Sequence, residues 1–205
     1  MSPLNISPET LRRAAEAIAR EMRTEPVSVP QAAAPRPAMG TAGHGVFSTV
    51  DEAVRAARGA FVAMQDVELS TRARIIAAIR KSMDAQAGPL ARFAYEETGL
   101  GRTEDKVIKN LLVTHKTPGT EVLTPLAVSG DHGLMLEEPA PYGVIGAITP
   151  TTNPTSTIIC NAIGMVAAGN TVVFNVHPAA KEVSKETVRL LNQAIISAGG
   201  PPNSV

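Results

Sequence analysis

After Pro141 the chain alternates between two apolar patterns, and that alternation limits the folds open to it more than any other feature. Val144 to Ile148 is a short continuous apolar run and Pro154 to Ala168 a helical one. Thr171 to Phe174 is a second short run and Glu182 to Ala198 a second helical one. Short apolar runs alternating with helical patterns read as parallel strands with helices packed on them. Gly199 to Pro202 is a turn, and Val205 stands where a further strand should begin. The expectation is an α/β fold, the opening of a doubly wound parallel sheet that is still incomplete, since two parallel strands leave their edges exposed. Each strand runs straight into a polar loop, Thr149 to Asn153 after the first and Asn175 to Pro178 after the second. In open α/β sheets ligands sit beyond the carboxyl ends of the strands, so these two loops are the first place to seek a site.

Upstream of Pro141 the apolar residues recur at helical spacing. The folded region is expected to begin near Val46. Ser48 or Thr49 can cap a helix whose Val50, Val54, Ala57, Phe61 and Met64 share a face. Ser70 is expected to cap the next, with Ile75, Ile76, Ile79 and Met83 inward. Pro89 suits the start of a third, which Gly99 and Gly101 stop near Thr98. A fourth spans about Glu104 to Lys116, before Pro118. The period then changes to 2: Leu126 to Ser129 and Leu134 to Glu137, joined by Gly130, Asp131, His132 and Gly133, read as a β-hairpin.

The N-terminal segment stands apart. Ser7 can cap a helix over residues 7–23, with Pro8 at its first position, and Ile6 and Leu11 stand at the spacing of a hydrophobic staple. Leu11, Ala14, Ala15, Ile18, Ala19 and Met22 form one apolar stripe. Residues 24–45 hold Pro26, Pro30, Pro35 and Pro37, a run of alanines, and Gly40, Gly43 and Gly45, and are too poor in bulky apolar residues to fold. The helix can pack on its own domain, or, tethered by such a linker, dock on a partner helix through its stripe. The linker favours docking. A membrane-surface helix would be larger and more cationic.

Nineteen basic and nineteen acidic residues balance to zero net charge, and without a basic face nucleic acid is not an expected partner. No apolar run approaches the roughly 18 residues of a membrane span, and no secretory signal is recognisable. Histidines 44, 115, 132 and 177 lack metal-ligand spacing, so no metal site is expected. The lone Cys160 cannot form an internal disulfide, which fits a reducing cytosol. It lies within an apolar run in the middle of a helix, where burial as a small hydrophobe is a better account than reactivity.

Four stretches together carry a resemblance: Glu96 to Arg102 with Glu104 to Lys106, His115 to Gly119, Pro150 to Pro154, and Asn175 to Pro178. The chain resembles the aldehyde dehydrogenases, specifically the coenzyme A-acylating branch that oxidises acetaldehyde or propionaldehyde inside bacterial microcompartments. The resemblance covers essentially the whole chain and implies an aldehyde dehydrogenase-like fold for residues 46–205, with the hairpin near 126–137 used in oligomerisation. It implies NAD and coenzyme A as cofactor and co-substrate, a small aldehyde substrate and a homo-oligomer. Residues 7–23 would then be an encapsulation peptide for microcompartment shell or cargo proteins, and the location cytoplasmic, inside the microcompartment.

In ordinary members of that family the first loop carries an asparagine whose amide donates to the oxyanion formed when a cysteine thiolate attacks the aldehyde. Such a donor is worth about 3 kcal/mol of barrier. Here the loop reads Pro150, Thr151, Thr152, Asn153, Pro154, and an ungapped register puts Thr152 at the asparagine position with Asn153 one place later. Either can donate, and Asn153 before Pro154 is also an ordinary helix-capping turn. The second loop lacks the lysine and glutamate that common members use on the adenosine ribose. Asn175, His177 and Pro178 stand there instead, and with Thr149, Pro150 and Thr151 they are the residues expected near the cofactor. No Gly-x-Gly-x-x-Gly follows either strand, which that family does not require. The resemblance also implies that the nucleophilic cysteine lies beyond Val205, so that these 205 residues alone would be inactive. A non-catalytic microcompartment interaction module and a non-acylating aldehyde dehydrogenase are the rival readings. A native mass near 21.4 kDa would favour the first, and coenzyme A independence the second.

Overall fold

The computed structural model describes residue 9 and residues 44–205. Apart from Glu9, His44 and Gly45, the expected helix 7–23 and linker 24–45 lie outside the described residues. Everything described below belongs to the compact unit Ala38–Val205. It opens with helix α1 (Val50–Met64), whose N-terminus is closed reciprocally. The Glu52 amide donates to Thr49 Oγ1 at 3.3 Å and the Thr49 amide to Glu52 Oε2 at 3.2 Å, the pairing that satisfies two otherwise orphaned donors. Thr49, rather than Ser48, is the cap. Only Ala57, Ala60 and Met64 of α1 are buried; Val50 and Val54 are exposed.

Helix α2 (Leu69–Thr98) corrects the expected pair of helices. It is one helix of 30 residues that starts after Glu68 and contains Pro89 in its interior. A proline there removes one backbone hydrogen bond and crowds the preceding turn. The helix continues because Leu90, Ala91 and Ala94 on the far side are buried, so packing on both sides of the proline outweighs the missing bond. Gly99, at φ 68°, ends it, its amide donating to Tyr95 O at 2.8 Å, a left-handed cap that glycine takes without steric cost. Helix α3 (Thr103–Lys116) follows the expected bounds, but its buried face is polar: Lys106, Asn110 and Thr114. After a short 3-10 turn at Thr120–Val122 comes the hairpin β1 (Leu126–Gly130) and β2 (Gly133–Glu137), paired antiparallel as expected and exposed along both strands.

Strands β3 (Val144–Thr149) and β4 (Thr171–Val176) pair in parallel, Val144 against Thr171 through Thr149 against Val176, with α4 (Pro154–Ala167) between them and α5 (Lys181–Ser197) after. The Thr171 amide bonds Gly143 O beside β3, whereas the next amide, Val172, bonds Ser204 O at 3.0 Å. Successive strand amides point to opposite edges, so residue 204 lies on the far edge of β4, where a third strand would sit. Thr171 and Val172 are both buried although their side chains leave opposite faces, so the sheet is covered on both sides at the start of β4. The core gathers Ile75, Ile79 and Met83 of α2, Ile158, Ile159 and Ile163 of α4, and Leu191 and Ile195 of α5. Each such side chain contributes about 1.5–3 kcal/mol on burial. Toward the carboxyl ends of the strands the cover thins: Ile148 is 84% exposed, and its register partner Asn175, projecting from the same face, is exposed as well.

Candidate functional site

Both loops that leave the carboxyl ends of β3 and β4 are held by residues from the helical half. At the first, Pro154 occupies the opening turn of α4, where its missing N–H costs nothing. Asn153 stands at the N-cap position, but its side chain makes no capping bond. Its Oδ1 instead accepts from Lys109 Nζ at 3.1 Å, while Lys106 Nζ donates to Thr152 O at 3.0 Å. The two lysines sit three residues apart on α3, one above the other on the helix surface. Burial, and then the charge of Lys109, hold the Lys106 ammonium below the ordinary lysine value. One turn further along α3, Asn110 donates to Ala87 O of α2 at 3.2 Å and accepts from Thr155 Oγ1 of α4 at 2.8 Å. A buried polar seam therefore fixes where α4 begins. Sequence periodicity, which searches for apolar faces, passes over all three residues; the Glu-Asp-Lys run was the only signal available for them.

Between α3 and α4 lies an open cleft of about 300 Å³, with Leu112 and Val113 on one wall and Ser156, Thr157 and Cys160 on the other. Asn153 and Lys109 also line it. Among the described residues the Asn153 Nδ2 has no acceptor, so its two N–H donors remain available. Thr152 is exposed and does not line the cleft. Thr149 is buried and Pro150 exposed; the hydroxyls of Thr149 and Thr151 are enclosed without a partner among the described residues. Cys160 is half-buried and open to the cleft, more accessible than the expected core position. It lies midway along α4, where backbone N–H groups are used inside the helix and none is free to stabilise a thiolate.

The second loop is built differently. Asn175, His177 and Pro178 are all exposed. His177 caps the 3-10 turn Pro178–Ala180 by accepting the Ala179 amide at its Nδ1, 3.1 Å away. A ring nitrogen that accepts carries no proton, so the neutral ring holds its hydrogen on Nε2 as a donor. The N-terminus of α5 is already occupied: Glu97 of α2 accepts the Glu182 amide at 2.8 Å and the Val183 amide at 2.7 Å. Glu97, part of a stretch singled out in the sequence only by resemblance, is the anion that satisfies the positive end of α5. The loops on the two strand ends are thus both anchored by the stretch Glu96 to Lys109. Among the described residues no cluster of three His, Cys, Asp or Glu side chains could hold a metal, and no helix is long and apolar enough to cross a membrane.

The fold agrees with what the chain is similar to. The acetaldehyde dehydrogenase (acetylating) EutE of Escherichia coli is 50% identical over 159 residues, which is 78% of this chain and 34% of that protein. A solved propionaldehyde dehydrogenase from the fucose utilisation bacterial microcompartment of Clostridium phytofermentans superposes with a TM-score of 0.76 at 53% identity, over 78% of this chain and 37% of that one. The propionaldehyde dehydrogenase of Rhodopseudomonas palustris, solved with bound CoA and an acylated cysteine, matches with the same TM-score, identity and coverage. The chain therefore spans about a third of the length of these relatives. The sequence profile described as the aldehyde dehydrogenase family matches residues 25–205. With most of its length accounted for in this way, the chain belongs to the aldehyde dehydrogenase family.

Proposed function

We propose that this protein takes part in the oxidation of a short aldehyde, acetaldehyde or propionaldehyde, to its acyl-coenzyme A. In this reading the chain contributes the oxyanion donor and the first part of the cofactor-binding domain. The observation that carries it is Asn153: it stands at the head of α4, lines the cleft, and among the described residues keeps its amide N–H groups unused. When a thiolate adds to an aldehyde, the carbonyl oxygen takes the negative charge, and a fixed N–H donor beside it lowers the barrier. Lys106, Lys109 and the open N-terminus of α4 make the same place electropositive. The cleft walls of Leu112 and Val113 suit a chain of two or three carbons. Cys160 is not assigned as the nucleophile, for the reason given by its place in the helix.

NAD supplies the hydride acceptor and coenzyme A the acyl acceptor. The exposed face at Ile148 and Asn175 and the outward Nε2 donor of His177 suit a nucleoside with its ribose hydroxyls. Because Glu97 fills the α5 N-terminus, a pyrophosphate would not be bound there. The exposed hairpin, with Leu126, Leu134 and Leu136 in solvent, supports self-association, and residues 7–23 support encapsulation in a microcompartment.

The test is Asn153→Ala in the protein at the length its source cells make, assayed with aldehyde, NAD and coenzyme A. A fall in kcat of about a hundredfold, with unchanged thermal stability, is the expected result for loss of one oxyanion donor. Unchanged kcat would remove Asn153 from the chemistry. Turnover without coenzyme A would favour a non-acylating enzyme.

A further inference from the structure

The orientation of a carboxamide decides whether it attracts or repels an anion, and in Asn153 that orientation is set by another residue. Lys109 Nζ lies 3.1 Å from Asn153 Oδ1. An ammonium offers three donors and no acceptor, so the end of the carboxamide it holds must be the oxygen. The opposite end, with its two N–H groups, is left for the cleft that both residues line. We infer that Lys109 is a positioning residue: it clamps the Asn153 carboxamide by its oxygen and so presents the N–H donors to the cleft. A half-turn of the carboxamide would place a carbonyl oxygen where negative charge develops. Lys106, bonded to Thr152 O from the same face of α3, restrains the adjoining peptide so that the clamp acts on a fixed backbone.

The purpose of the clamp rests on the proposed role of Asn153; the clamp itself does not, and two readouts separate them. In the 205-residue chain labelled with [15N]asparagine, the Asn153 side-chain amide pair is assigned by its loss in Asn153→Asp. Lys109 is exposed, so Lys109→Met leaves the fold intact. The substitution is expected to shift the Asn153 pair and draw its two proton signals together while the backbone amides stay in place. Lys109→Arg, which keeps a cationic donor, is expected to restore the pair. In the native-length protein, Lys109→Met is expected to lower kcat about tenfold with little change in KM, and Lys109→Arg to recover it. An unmoved Asn153 pair in Lys109→Met overturns the clamp. A moved pair with unchanged kcat overturns the catalytic purpose of the clamp, while Asn153→Ala decides separately whether Asn153 is the donor.

Discussion

The loops after β3 and β4 occupy equivalent places in the sheet, yet they are anchored by opposite charges. Lysines hold the first by its oxygens, and a glutamate holds the helix that follows the second by its N–H groups. In the function proposed above, the consequence is a division of electrostatic labour. The first loop keeps its helix N-terminus open beside two cations, which suits a negative charge that appears during a reaction. At the second the helix N-terminus is satisfied internally, which leaves a neutral, hydrogen-bonding surface suited to a nucleoside. A parallel sheet alone would make both ends attractive to anions; the helical half removes that property from one of them.

The strongest way to break the comparison is at Asn110, which joins α2, α3 and α4 beneath the first loop. Asn110→Ala would leave the Thr155 hydroxyl without its partner in the interior and remove the bond that ties α3 to the Ala87 carbonyl of α2. A loss of about 3 kcal/mol in urea unfolding is expected, because buried polar groups left unpaired carry their full desolvation cost. Glu97→Ala acts at the other loop. It should cost about 1–2 kcal/mol as a lost cap and free the α5 N-terminus, so that the Glu182 and Val183 amide signals respond to added inorganic phosphate. No response would mean that Glu97 is not what keeps anions away from that loop.

A smaller effect follows from Lys106. Its folded-state pKa lies below the ordinary 10.5, so between those two values the unfolded chain binds more protons and stability rises with pH. Lys106→Met should abolish that alkaline rise, measured as the slope of the unfolding midpoint against pH; an unaltered slope would assign it elsewhere. The smallest effect is expected of Thr152→Val. Thr152 is exposed and outside the cleft, so stability should change by less than about 0.5 kcal/mol. Its kcat should stay close to that of the unsubstituted protein, and a large fall would transfer the donor role from Asn153 to Thr152.

Much of the fold was legible in the residues because local physics specifies it. A cap at Ser48 or Thr49, the stop at Gly99, the hairpin around Asp131 and the β-α-β-α order all follow from short-range rules, and the structure keeps each of them, with Thr49 as the cap. Pro89 was misleading for a physical reason. Its local preference is a helix start, and only the burial of Leu90, Ala91 and Ala94 makes continuation the better choice. The site was legible as two loops and a short roster of residues, but not as a geometry. Whether Thr152 or Asn153 lines the cleft depends on the turn entering α4, and spacing cannot report that.

By itself the sequence determined the class of the fold, the position of both loops at the carboxyl ends of parallel strands, and the family, through the residues of those loops and of Glu96 to Lys106. Hydrophobic period and turn chemistry act over a few residues, so one strand of text suffices to read them. Only the tertiary structure decided that Lys106, Lys109, Asn110 and Glu97 serve the loops. Their partners lie 46, 44, 45 and 85 or 86 residues away. A polar side chain at such a separation declares no partner in its own neighbourhood. Its function exists only once the core has closed and brought the two ends of the bond together.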